Sequence, residues 1–515
     1  MSNHIESSKK VAKNTLYLFF RMIMVMAVGL YTSRIVLSAL GVEDYGIYNV
    51  VGSVVILFSF LKQAMTNATY RFFAYVLGEN DVVKLRKTFV MSINAHLLII
   101  GVILLLSETV GLWLLNTKLV FPEDRLFAAN IAYQFSIFSF CVNVLQTPYN
   151  SVVIAHEQMS FFAFTSIWEV FLKLGIVFLL LILPGDVLVL YALLMFVISL
   201  FLYLWYIVYC HKRYQECRYR RYWDGRMLIS MVKYSGWSVL VNGADVLVTQ
   251  SIVFFFNIFF GVAMNAALGV ANQVCSALQA LLGSFTQAFN PQIIKSYAKG
   301  EMGYLYKLIY STSKISYFLL LFVAVPVLLN IDFLLGLWLE VIPEGVDKLL
   351  VMIVLFSLID AYSAPLWITV YATGNLRTHQ LLMSIIKIFN VPLAYLVLKN
   401  GGDAWMALAL KVGLNLVCSI VRPIYMRRLV GLPLHVYVRE VFGRIVIVSV
   451  LSLPLPVYLA SIMPDGWGKL LMVGFVSIVV MVMVILYIGL NKQEKTLCVA
   501  MLRKYMKNKF YKRFV

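Results

Sequence analysis

Apolar runs of about twenty residues recur from one end of this 515-residue chain to the other, and a helix of that length just crosses a hydrocarbon core of roughly 30 Å. No water reaches backbone groups there, so each run has to satisfy its own N–H and C=O groups as a helix. Fourteen spans are expected, at 15–37, 46–67, 89–110, 126–150, 161–183, 187–209, 236–258, 265–289, 313–335, 348–372, 380–399, 404–426, 443–463 and 467–490. The fold class that follows is an all-α, polytopic membrane protein. Residue usage agrees: 62% is hydrophobic and 13% charged, against roughly half and a quarter in soluble domains.

The net charge of +19 raises the question of a nucleic-acid partner, and its placement answers it. Alternate connections are basic: Lys9, Lys10 and Lys13; Lys84, Arg86 and Lys87; Lys212 to Arg226; Lys295, Lys299 and Lys307; Arg427 to Arg444; and the tail from Lys492 to Arg513. The other connections are short and acidic, carrying Glu43, Asp44, Glu123, Asp124, Asp186, Asp332, Glu340, Glu344, Asp403 and Asp465, with only Lys118, Arg125 and Lys399 as clear exceptions. The positive-inside rule then places both termini in the cytoplasm of a bacterial inner membrane. No nucleic acid is needed to explain the charge. The first apolar stretch is too long for a signal-peptide core and carries Arg21 and Arg34, so it reads as a retained helix. Cys141, Cys210, Cys217, Cys275, Cys418 and Cys498 fall in helices or on the expected cytoplasmic side, which predicts no disulfide, and no spacing fits a metal or cofactor site. The tail, basic and interleaved with apolar residues, is expected to lie on the inner leaflet as an amphipathic helix.

The chain also repeats itself. Leu40-Gly41-Val42 is echoed by Phe260-Gly261-Val262, Tyr75 to Glu79 by Tyr297 to Glu301, and Gly111-Leu112-Trp113-Leu114 by Gly336-Leu337-Trp338-Leu339. Pro122-Glu123 matches Pro343-Glu344, Pro148 and Ala155 match Pro365 and Ala372, and Gly185-Asp186 matches Gly402-Asp403, all in order at offsets between 217 and 225. Each copy holds an even number of spans, so both face the same way, giving a parallel repeat about an axis along the membrane normal. The expected organisation is an N-terminal lobe with its basic linker (1–227), a second six-helix lobe (228–430), and two extra helices with the tail (431–515).

Charges inside the spans are costly, about 2.5–3.5 kcal/mol each at a helix centre on insertion scales, and usually face a cavity or a partner. Arg34, Glu108, Lys387 and Arg422 sit near enough to an interface to snorkel, and Glu169 and Lys173, four apart, are expected to pair locally. Arg21, Lys62, Asp245, Asp360 and Lys411 are deeper. The first two spans hold Arg21, Arg34 and Lys62 but no acid, a balance that suits an anionic cargo, with arginine able to grip two phosphate oxygens at once. The seventh span adds Asn242, Asp245, Gln250 and Asn257, with Asn242, Asp245 and Asn257 close to one face; interhelical hydrogen bonding explains these as well as a site does. The substrate-binding candidates are therefore Arg21, Arg34, Lys62, Asn242, Asp245, Asp360 and Lys411, with no catalytic residue.

Ser33 to Val42 followed by Asp44-Tyr45-Gly46-Ile47-Tyr48-Asn49-Val50-Val51-Gly52 resembles the start of the Wzx-type polysaccharide flippases, within the multidrug/oligosaccharidyl-lipid/polysaccharide exporter superfamily. Arg71-Phe72, Ala155 to Met159, Phe260-Gly261 through Ala271-Asn272-Gln273-Val274, Asn290-Pro291-Gln292-Ile293 and Tyr297 to Gly300 are similar to that family too, so the resemblance spans nearly the whole chain. It implies two lobes working by alternating access on an undecaprenyl-pyrophosphate-linked oligosaccharide for O-antigen, capsule or exopolysaccharide, with membrane lipids and glycan-assembly proteins as partners. Two other readings stand beside it. A drug/cation antiporter of the same superfamily would use a buried acid such as Asp245. A membrane-embedded glycan polymerase or ligase would need catalytic Arg or His on a large outer loop, and the outer loops here are short. His156-Glu157 lacks the partners of an acid–base site and is expected to make a helix-end contact.

Overall fold

The computed structural model describes residues 2–78, 81–156, 158–374, 376–491 and 494–496, which are helical throughout apart from short connections, with no strand among them. Glu79, Glu157, Cys498 and most of the basic tail therefore lie outside the described residues. Thirteen stretches among the described residues are long and apolar enough to span a membrane. The first of these, Arg21–Ile56, runs through the first expected span and into the second, because the Ser2–Ile56 stretch is two helices joined at a kink where Gly41 leaves helical geometry.

That turn shows how the repeat is built. Gly41 has φ 74°, ψ 173°, and Gly261, at the equivalent position between the helices Gly225–Phe260 and Val262–Ala298, has φ 78°, ψ −172°. A side chain at this combination collides with its own backbone, so only glycine enters it at little cost. The two copies of the Gly-Val pair thus make the same turn from one helix into the next.

Outward-facing side chains are those of a protein solvated by lipid. The last span, Trp467–Gly489, is the most hydrophobic, at mean hydropathy 2.9, and only 17% of it is buried. Phe127, Ile182 and Tyr487 are each more than three-quarters exposed. Apolar helix faces left this exposed need a hydrocarbon solvent.

The chain packs as two compact units: Met1–Ala277 with Trp338–Leu350 and Gln380–Lys411, and Leu278–Leu337 with Val351–His379 and Val412–Val515. In the first unit, loops are stapled by charge. Arg125, one of the few basic residues among acidic connections, donates to Asp44 at 2.5 and 2.8 Å and to Asp186 at 2.6 Å. His156 bonds Glu216 at 2.8 Å and stacks on Tyr214 at 4.3 Å; the helix-end contact is thus made with a residue sixty positions on.

Gly46 of the first copy and Val262 of the second approach so closely that a Cβ on Gly46 would lie 2.0 Å from the Val262 carbonyl oxygen. Gly269 meets the Asn49 side chain just as tightly, with its Cβ position 2.7 Å from Nδ2. A backbone oxygen cannot swing aside, so Gly46→Ala is expected to lower stability by about 1–3 kcal/mol. Gly52→Ala, six positions on in open space, should be neutral or raise stability by up to about 1 kcal/mol through helix propensity. Thermal unfolding of both variants in detergent checks this contrast, and equal stability of the two would contradict the crossing.

Candidate functional site

The second span is interrupted at Leu57-Phe58 before it resumes as Ser59–Gly78, and the restart carries Ser59, Lys62 and Gln63 onto one wall of a cavity of about 360 Å³. Asn242, Asp245 and Val246 of the Gly225–Phe260 helix form the facing wall, with Phe60 and Phe140 completing the lining. Everything around it belongs to the first unit. A space this size, apolar in outline with a few convergent polar groups, has the make-up of a ligand site.

Its electrostatics come from three amines and one carboxylate. Lys387 donates to Asp245 at 2.8 Å, pairing residues 142 positions apart. The pair is only partly shielded, with the Lys387 side chain 27% and the Asp245 side chain 45% exposed. Lys411 lies within electrostatic reach of both. Lys62 stands 6.0 Å from the Phe140 ring centre and within electrostatic reach of Glu169. Glu169 itself accepts from Lys173 at 2.6 Å, the local pair that their spacing predicts. The cluster thus gathers three lysines around Asp245, with the Glu169–Lys173 pair beside Lys62.

Of the seven sequence candidates, the structure thus brings Lys62, Asn242, Asp245 and Lys411 together. Arg21 does not line the cavity. Its guanidinium lies 4.9 Å from the Phe162 ring centre, and its buried Nε has no hydrogen-bond partner among the described residues. Arg34 reaches the connection after the second Gly-Leu-Trp-Leu motif, where Glu340 accepts from it at 3.3 Å and from Ser38 at 2.6 Å. These two donors hold the exposed Glu340 carboxyl below its ordinary pKa. Asp360 belongs to the second unit, within electrostatic reach of Arg422.

Two expectations need correction. Lys387 does not snorkel; it turns inward to Asp245. Arg422 is the largest fully buried side chain, at 1% exposure, and lies 5.3 Å from the Trp367 ring centre. Its NH1 donates to the Ser363 carbonyl at 3.5 Å. Of the two readings open for Asn257, hydrogen bonding to a neighbouring element holds: it clasps the Val120 backbone from both sides, at 2.6 and 2.9 Å. Lys387, paired with the cavity residue Asp245, is the charge beside the site that sequence reasoning missed: no acid lies within four residues of it, and its partner lies on another helix.

No family model matches the sequence, and no curated protein does. Solved structures do match in fold. The chain is similar to the lipid II flippase MurJ in its inward closed conformation, at 14% identity over 92% of this chain and 98% of that one, with TM-score 0.72. It is also similar to an inward-facing multidrug-resistance MATE transporter of the MOP superfamily, at 13% identity over 81% and 98%, TM-score 0.60. A third, a MOP transporter from Pyrococcus furiosus described as having a binding pocket of reversed polarity, aligns at 15% identity over 81% and 96%, TM-score 0.53. The chain therefore has the polytopic helical fold these transporters share.

Proposed function

We propose that the protein is a flippase that moves an undecaprenyl-pyrophosphate-linked oligosaccharide from the cytoplasmic to the periplasmic leaflet of a bacterial inner membrane, in the manner of Wzx-type proteins. The observation that carries the reading is the gathering of amines at one cavity: Lys62 on its wall, Lys387 paired with Asp245, and Lys411 within electrostatic reach of that pair. A pyrophosphate and its sugars cannot enter hydrocarbon unaided. A polar, cationic recess offset by aromatic walls can take the headgroup while the lipid tail stays in the bilayer. Asn242 and Gln63 supply neutral hydrogen-bond capacity for sugar hydroxyls beside the charges. Alternating access between the two copies of the repeat is the proposed cycle, with both termini cytoplasmic and no chemical step.

The antiporter reading needs a carboxylate free to exchange cations. Here the acid on the seventh span already holds an ammonium group at 2.8 Å, which favours anionic cargo. Deleting the gene in its host and following lipid-linked oligosaccharide by mass spectrometry tests the proposal. Accumulation of the pyrophosphate-linked intermediate with loss of surface glycan is expected. Unchanged intermediates and glycan in a strain without a redundant exporter would overturn it, and loss of drug resistance instead would favour the antiporter.

A further inference from the structure

The connection between the Val187–Arg213 and Gly225–Phe260 helices has no regular structure beyond one short turn, Gln215–Cys217, yet it is held fast. Tyr214, Glu216 and Cys217 are buried, with Cys217 fully so. Further along, Asn94 donates to the Tyr222 carbonyl at 2.9 Å and accepts from the Tyr219 hydroxyl at 3.0 Å. Asp224 caps the next helix by accepting from the backbone of Arg226 and Met227 at 2.9 and 3.1 Å. A loop that only joined two helices would not need anchors at both ends.

These anchors fix the depth of the strap. Asn94 sits in the Val82–Leu106 helix one turn before Leu97 and Leu98, which are about half exposed and, with Val102 and Leu105, make up the exposed apolar surface of that helix's second half. The strap therefore lies where hydrocarbon gives way to headgroups. At that level it turns outward what is not buried: Arg218, Arg220 and Arg221 are exposed, and between and beside them stand Tyr219, 52% exposed, and Trp223, 61% exposed. Aromatic rings concentrate at the membrane–water boundary because one end is apolar and the other polar. Guanidinium groups there match phosphodiester oxygens.

The geometry points to the 214–224 strap as a preformed binding platform for anionic phospholipid headgroups, with the arginines taking the phosphates and Trp223 and Tyr219 seated at the glycerol level. The occupant is a bilayer lipid, since the aromatic side chains would gain nothing from a free phosphate. Juxtamembrane basic residues each contribute about 1 kcal/mol toward an anionic leaflet, or roughly fivefold in affinity. A rigid strap offers three of them with no ordering cost on binding.

The test uses the full-length protein in neutral detergent, titrated with phosphatidylglycerol or phosphatidylcholine and followed by thermal unfolding and native mass spectrometry. Phosphatidylglycerol is expected to bind and stabilise, and phosphatidylcholine to do neither. Arg218→Gln/Arg220→Gln/Arg221→Gln should weaken phosphatidylglycerol binding on the order of 100-fold, and Trp223→Ala should weaken it several-fold. A charge-matched control, Lys295→Gln/Lys299→Gln/Lys307→Gln, should weaken it far less. Equal loss in that control, equal binding of the two lipids, or displacement of phosphatidylglycerol by millimolar inorganic pyrophosphate would each overturn the platform. Should the triple variant fail to fold, Trp223→Ala alone decides, because unaltered phosphatidylglycerol binding in that variant contradicts the proposal.

Discussion

Lys387→Glu is expected to reduce export of lipid-linked glycan by at least 100-fold while the protein stays in the membrane at its normal level. The substitution does two things at once. It breaks the 2.8 Å pair with Asp245, and it sets two carboxylates side by side near Lys62 and Lys411, so the charge at the cavity falls by two units. One unit charge at ~6 Å from another, at an effective dielectric near 20, changes their interaction by about 3 kcal/mol. That is roughly a hundredfold in binding, and reversal of a charge counts twice. The double variant Asp245→Asn/Lys387→Gln separates charge balance from structure. It removes one charge of each sign, leaves Lys62 and Lys411 in place, and keeps side chains able to hydrogen-bond, so export is expected within about tenfold of wild type. Surface glycan measured alongside membrane abundance reads both variants. Normal glycan in the Lys387→Glu strain would take this cluster off the cargo's path.

The same pair shows why the architecture was legible in the sequence and the site only partly so. Hydropathy finds spans because a bilayer asks one thing of every helix, length in apolar residues, and it asks it locally. The turn at Gly41 and its echo at Gly261 were visible as a repeated tripeptide, since the backbone there tolerates only glycine. Glu169 and Lys173 were visible because their partner lies one helical turn away. Depth is not partnership, though. Lys387 and Arg422 lie close enough to the span ends to reach water, but each meets a group on another helix: Asp245 for the first, the Ser363 carbonyl and the Trp367 face for the second. Which of these competing options wins is decided by packing between helices, and a single sequence without its packing does not carry that. Asn257, whose sequence left a site and a hydrogen bond to another element equally open, takes the second as a clamp on the Val120 backbone, because a buried peptide group with no helical partner needs an amide more than an open cavity does.

Lys314 makes the point most sharply, for it drew no attention in the sequence and is wholly buried in the second unit. Its ammonium donates to Glu494 at 2.9 Å; the Ser311 hydroxyl also donates to that carboxylate, and the Asn491 N–H does so at 2.8 Å. The acid thus arrives from just beyond the last span, 180 positions away, and ties the chain after that span to the Met302–Leu329 helix. Lys314→Met is expected to destabilise the protein by about 3–5 kcal/mol, because removing one member of a buried pair strands the other. Lys314→Met/Glu494→Gln should recover most of that loss, since a well-packed neutral pair avoids the desolvation of both ions. Acid should narrow the gap. Burial alone would raise the Glu494 carboxyl, but the bonds from Ser311, Asn491 and Lys314 outweigh it and hold it below the usual glutamate value of 4.5. Its contribution to the folded state is therefore complete above that value and is lost as pH falls through the depressed one. In the Lys314→Met protein the stranded carboxylate takes up a proton more readily, which relieves its penalty. Thermal unfolding in detergent at neutral pH and again near the glutamate range measures each term. A Lys314→Met protein as stable as wild type at neutral pH would show that the tie contributes nothing, and that the last two spans are held by their apolar contacts alone.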